Sequence, residues 1–215
     1  MATATASAQA FLTDQEGAKR EGDEPLTGEQ LAQLQGLSLQ EFLALPEVKP
    51  ALEYAEGRVT QKVAPQGQHS LLQGSLTEAI NRITRPARLT LAFPELRFSG
   101  RRRAEVPDVA VYRWERIPRT PGGRVANRFT EPPDIAIEIL SPGQSRRELR
   151  EMCLGFVARG VRAVLLVDAD RDAVTLFRPG QEPATLRGTD AVDLDDVIPG
   201  LRLTVETVLG ALRID

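Results

Sequence analysis

Lysine is almost missing from this chain. Of 27 basic residues only Lys19, Lys49 and Lys62 are lysines, and nothing after Lys62 carries a side-chain amine. Cysteine is scarcer still. Cys153 alone cannot form an intramolecular disulfide framework or a cysteine metal cluster, and its place among apolar residues at helical spacing makes it a small buried hydrophobe in a reducing cytoplasm. No run approaches the ~18 apolar residues of a membrane span, and the start, MATATASAQAFLTD, lacks the basic segment and apolar block of an export signal. A membrane location and export are therefore not expected. The formal charge of −3 and pI near 5.4 exclude a global positive field, so contact with nucleic acid must come from local arginine clusters.

What is present is enough for one good core: 215 residues, 41% of them hydrophobic. Residues 1–30 are rich in Ala, Thr, Ser, Gly, Glu and Gln without periodicity and are expected to form a flexible N-terminal arm, with a single domain over 31–215. Ser38 and Glu41 form a capping box for a short helix ending before Pro46. Glu56-Gly57 marks the turn of a hairpin over residues 54–65. Leu71, Leu72, Leu76, Ala79, Ile80 and Ile83 keep a helical period up to Pro86, with His69, the only histidine, at the mouth of that helix. Two extended segments, 89–98 and 106–112, are joined by Gly100 and three arginines and are expected to pair as a hairpin. Residues 115–132, rich in Gly, Pro and Arg, form a long irregular connection.

The clearest unit runs from Pro133 to Asp168. An apolar strand interrupted only by Glu138 is followed by a helix that opens on the capping box Ser145/Glu148, carries Leu149, Met152, Cys153 and Phe156 on one stripe, and ends at Gly160. A second apolar strand follows at 161–167. Two buried strands linked by a helix lie parallel with a right-handed crossover. The order is then helix, strand, strand, strand, helix, strand, an α/β layered domain whose strand-borne carboxylates can meet at one edge.

Asp108 and Glu138 are those carboxylates. Each interrupts an apolar strand, where a charge is costly to bury unless it is paired or bound to a cation. With Glu95 on the next strand they would offer the hard oxygen ligands that Mg²⁺ prefers. Asp134 also follows a proline, in an echo of Pro107-Asp-Val-Ala-Val by Pro133-Asp-Ile-Ala-Ile. It lies about 13 Å along the strand from Glu138 at ~3.3 Å per residue, too far to share an ion, and reads as a strand-entry residue.

The combination of Pro107-Asp108, Glu138-Ile-Leu140-Ser-Pro142, a helix ending in Gly160-Val161, and Val164-Leu-Leu-Val-Asp168 resembles the Uma2 family, and the likeness extends over roughly residues 35–210 through Tyr54–Arg58, His69, Glu95 and Ile198-Pro-Gly200. That resemblance implies the restriction-endonuclease-like PD-(D/E)xK fold: a three-layer α-β-β-β-α-β core, here with an additional N-terminal helix and hairpin. It also implies a Mg²⁺-dependent (or Mn²⁺-dependent) endonuclease acting on DNA, with Asp108, Glu138 and Glu95 as catalytic metal ligands and a lysine that activates water. A homodimer is expected, since cutting both strands takes two centres.

The lysine is where the chain departs from the family. Two residues after Glu138 stands Leu140, and the alternative helix position is Met152, whose thioether can neither polarise water nor offset charge. Arginine stays protonated and cannot act as a base. Lys62, or Arg97 on the Glu95 strand, remains as a cation from elsewhere. His69, Arg97, Arg101, Arg102 and Arg103 are the candidate contacts to nucleic acid, and a solvated charged turn is the plainer reading of the three arginines. The rival function is a degenerate nuclease fold that binds nucleic acid or protein without cutting it, and Met152 is its main support.

Overall fold

The structure, a computed structural model, describes residue 12 and residues 25–214. The chain divides into two compact units: the described residues up to Pro65 together with Arg97–Val106, and Gln66–Leu96 together with Pro107 onward.

The first unit holds α1 (Gly28–Gln33), α2 (Leu39–Leu43) and a four-stranded sheet in the order β2 (Arg58–Gln61), β1 (Leu52–Ala55), β5 (Arg103–Glu105), β4 (Phe98–Ser99). The expected hairpin is present as β1 and β2, with Glu56 and Gly57 both at positive φ (54° and 92°), the two-residue turn whose twist suits antiparallel strands. Ser38 and Glu41 make the capping box of α2. Most of the expected arm lies outside the described residues. Leu12, however, is fully buried in this unit's core beside Leu34, Phe42 and Leu52. Thr27 and Gln30 form a second capping box that starts α1 within the stretch expected to be irregular.

The second unit is a six-stranded sheet flanked by helices. Its order is β10 (Ala184–Arg187), β9 (Ala173–Phe177), β8 (Ala163–Asp168), β7 (Ile135–Ile139), β6 (Val109–Arg113), β3 (Thr90–Pro94). As expected, β7 and β8 are parallel and joined by α4 (Arg146–Ala158). Strand residues of odd number (Val109, Val111, Ile135, Ile137, Ile139, Leu165, Val167) pack in one core with Leu72, Leu76 and Ile80 of α3 (Gly67–Thr84) and with Val205, Val208 and Leu209 of α5 (Val205–Leu209). Side chains alternate across a strand, so Ala136 and Glu138 face the other way, toward α4 and its buried Leu149, Cys153 and Phe156. The α-β-β-β-α-β order is thus α3, β3, β6, β7, α4, β8.

One expected strand is shorter than its sequence pattern. β3 stops at Pro94 because Glu95 adopts a left-handed backbone (φ 45°), and the chain then passes into the first unit, where β4 and β5 form a separate small hairpin closed by Gly100–Arg102. β3 and β6 still pair antiparallel, Thr90 opposite Arg113 and Pro94 opposite Val109, so the pairing expected of segments 89–98 and 106–112 holds while its direct connection does not. In the irregular stretch after β6, Phe129 is buried, its ring centroid 4.8 Å from that of Tyr112 and 5.3 Å from that of Phe93, which anchors the connection.

Candidate active site

The antiparallel register of β6 with β7 sets Val109 opposite Ile137 and Ala110 opposite Ala136. The ladder ends there: Asp108 stands in the bend just before Val109, and Glu138 follows Ile137 within β7. Both residues are almost wholly buried, 2% and 3% exposed. From positions thirty residues apart in the chain, both carboxylates come near enough to Cys153 of α4 for their charges to act on its thiol.

Asp108 is held from several sides. His69 Nε2 stands 3.0 Å from Oδ2, and the Ile139 N–H donates to the same oxygen at 2.7 Å. Where Asp108 is ionised its carboxylate only accepts hydrogen bonds and His69 Nε2 is the donor; the buried Nδ1 makes no hydrogen bond among the described residues. The Asp108 main-chain carbonyl accepts from Gln73 Nε2 at 2.8 Å and from the Glu95 N–H at 3.0 Å. Below the carboxylates lies Cys153 of α4. Burial pushes its thiol well above the usual range, and the negative charges of Glu138 and then Asp108 push it further.

Glu95 follows Asp108 in register on the other side, yet its left-handed backbone takes it out of the pleat. Among the described residues no group of three or more His, Cys, Asp or Glu side chains is placed to hold a metal ion, so Glu95 does not complete a three-carboxylate set with Asp108 and Glu138. Met152 is half-buried on α4, next to Cys153. His69 and Ile139, the two donors to Asp108 Oδ2, also line a pocket of about 410 Å³ whose walls include Gln66, Gly67, Leu140 and Pro142.

The remaining sequence candidates lie in the first unit. Arg97 is turned into that unit: its guanidinium lies 5.3 Å from the Phe42 ring centroid and 3.5 Å from the Leu52 carbonyl, and desolvation lowers its pKa against the raising effect of Glu47 and Glu53. It does not share a strand with Glu95, as the break at that residue separates them. Arg101 and Arg102 are exposed on the turn before β5, Arg102 with Glu56 at 3.9 Å, and Arg103 lies 4.0 Å from Glu105. Lys62 donates to the Val106 carbonyl at 2.8 Å.

Gln73 is the residue that sequence patterns did not single out. Its only local signal is its place four residues after His69, one turn further along the same helix face.

The Uma2 family, described as "Putative restriction endonuclease", matches residues 39–206. A solved structure titled as a "putative nuclease" of a family of unknown function, DUF820, from Anabaena variabilis, superposes with a TM-score of 0.78 at 38% identity, covering 82% of this chain and 99% of that one. No curated protein matches the chain. The fold is restriction-endonuclease-like, and with a family match over most of its length and a nuclease-titled neighbour sharing the whole core, the chain belongs to the Uma2 family.

Proposed function

We propose that the chain is a Mg²⁺-dependent endonuclease, able to use Mn²⁺, that hydrolyses DNA phosphodiester bonds with Asp108 and Glu138 as the residues holding the ion. The observation that supports this reading is two buried carboxylates, one just before β6 and one in β7, whose charges both act on the Cys153 thiol, with the groups that bond Asp108 lining an open pocket. Burying two like charges side by side is unfavourable unless a cation offsets them. Mg²⁺ keeps several waters and is commonly bound through one or two carboxylates, so this pair fits it without a third protein ligand.

When bound, such an ion lowers the pKa of a coordinated water and offsets charge on the phosphate. The protein's own part is to fix the Asp108 carboxylate through the Ile139 N–H and His69, and to admit the phosphate through the pocket walled by the start of α3 and the segment after β7. Met152 neither holds a proton nor carries charge, so the helix position of the family lysine contributes no catalysis here. Exposed Arg101 and Arg102 suit the DNA backbone. Two such centres in a homodimer would cut both strands, which sedimentation with and without duplex would report.

Nicking of supercoiled plasmid with Mg²⁺ or Mn²⁺, beside Asp108→Ala and a chelator, tests the reading. Cleavage lost in both controls is expected. No cleavage by the wild type, with nucleic acid still bound, would favour the degenerate binding module that Met152 supports.

A further inference from the structure

We propose that His69 and Gln73 are a positioning pair, set one turn apart on α3, that locks Asp108 for cation binding; this rests on the reading of Asp108 as an ion ligand. His69 fixes the side chain through Oδ2 at 3.0 Å, and Gln73 fixes the main chain through the carbonyl oxygen at 2.8 Å. Residues i and i+4 of a helix stand one above the other, so a single rigid element sets two points on the same residue. Since Oδ2 also takes the Ile139 N–H at 2.7 Å, that oxygen is held by a helix and a strand together.

Two features separate this pair from ordinary helix-to-sheet packing. The first is cost. A histidine used only to fill space could be a leucine, whereas His69, 8% exposed, keeps Nδ1 buried without a hydrogen bond among the described residues. Leaving such a group unsatisfied is unfavourable, and its retention points to what Nε2 does at Asp108. The second is a control within the same helix. Asn81 makes a reciprocal pair with the Ala92 main chain, 2.9 Å from Nδ2 to the carbonyl and 2.8 Å from the N–H to Oδ1, far along α3 from the carboxylates. Asn81 ties helix to sheet through the Ala92 main chain. His69 and Gln73 make bonds of similar length to Asp108, a buried acid just before β6.

Outer partners that orient a ligand typically change metal affinity by about 10- to 100-fold when removed, whereas structural ties change stability. The test is Mn²⁺ affinity of the full chain, read from the free-ion EPR signal with the metal alone, beside thermal unfolding of each apo protein. His69→Leu is expected to weaken Mn²⁺ binding about tenfold or more. His69→Gln, whose amide nitrogen can reach the position of Nε2, is expected to restore most of it. Gln73→Leu, half-buried and on a helix surface, is expected to weaken binding severalfold in a folded protein. Asn81→Leu is expected to lower the melting temperature and leave Mn²⁺ affinity unchanged.

Wild-type affinity in folded His69→Leu or Gln73→Leu, with Asp108→Asn still abolishing Mn²⁺ binding, would overturn the positioning role and leave the metal reading intact. So would His69→Gln binding no better than His69→Leu. Wild-type affinity in Asp108→Asn would instead overturn the metal reading itself.

Discussion

Two proline-aspartate pairs in this chain look alike in sequence and end in opposite surroundings. Asp134 is wholly buried and saturated by arginines: Arg113 Nε reaches Oδ1 at 2.9 Å, Arg116 Nη1 the same oxygen at 2.8 Å, and the Arg113 N–H reaches Oδ2 at 2.8 Å. Asp108 is nearly as buried, but an imidazole and a backbone N–H converge on one of its oxygens, and Glu138, a second buried carboxylate, acts with it on the Cys153 thiol. The first is a finished ion pair that pins the chain entering β7 to the end of β6. The second is a buried carboxylate bonded by two groups that themselves line a pocket. The difference teaches that a motif's role is set by what the elements around it present to it: two arginines at Asp134, a histidine and a backbone N–H at Asp108.

The largest effect on stability is expected at the finished pair. Asp134→Asn removes the partner of two arginines from a buried position and should cost about 3 kcal/mol, the scale for breaking one side of a buried ion pair, read by urea unfolding. Asp108→Asn should change stability by less than about 1.5 kcal/mol, because it also relieves a buried charge, while it abolishes Mn²⁺ binding. If the two variants were equally destabilised and bound metal alike, the contrast would be lost.

The comparison sharpens at position 152. Met152→Lys restores the family's helix lysine and is expected to raise the nicking rate about tenfold or more, within the range of a positioned proton-transfer group. An unchanged rate, with Mn²⁺ bound normally, would show that position 152 does not face the chemistry.

The smallest effect is expected at an exposed acid. Asp195 is held below the usual carboxylate range by hydrogen bonds from Arg202 and then from the Gly200 N–H. A lowered folded pKa contributes stability above the ordinary carboxylate value, and that contribution fades as pH falls through the folded value. Asp195→Asn should therefore lower stability only slightly near neutral pH and by nothing once both states are protonated, seen by repeating the unfolding in acid.

The βαβ unit was legible because its signals are local. Apolar runs bounded by Pro-Pro and Ser-Pro-Gly, a capping residue at Ser145 and a glycine at 160 each act within a few residues. Asp108 and Glu138 were legible as charges interrupting such runs. The Thr27/Gln30 box was equally local and simply sits in a composition that reads as disordered. The partners of Asp108 were not legible, since His69 and Gln73 lie 39 and 35 residues away and meet it only after α3 docks on the sheet. Nor was the break at Glu95, where a glutamate with no intrinsic preference for positive φ turns the chain into the other unit and carries Arg97 away with it.

The most direct measurement is Mg²⁺-dependent nicking of supercoiled plasmid by Asp108→Asn and Asp134→Asn side by side, at a temperature where circular dichroism shows both folded. The account predicts no cleavage by Asp108→Asn at a near-normal melting temperature, and wild-type cleavage per folded molecule by the less stable Asp134→Asn. Cleavage by Asp108→Asn at the wild-type rate would contradict it.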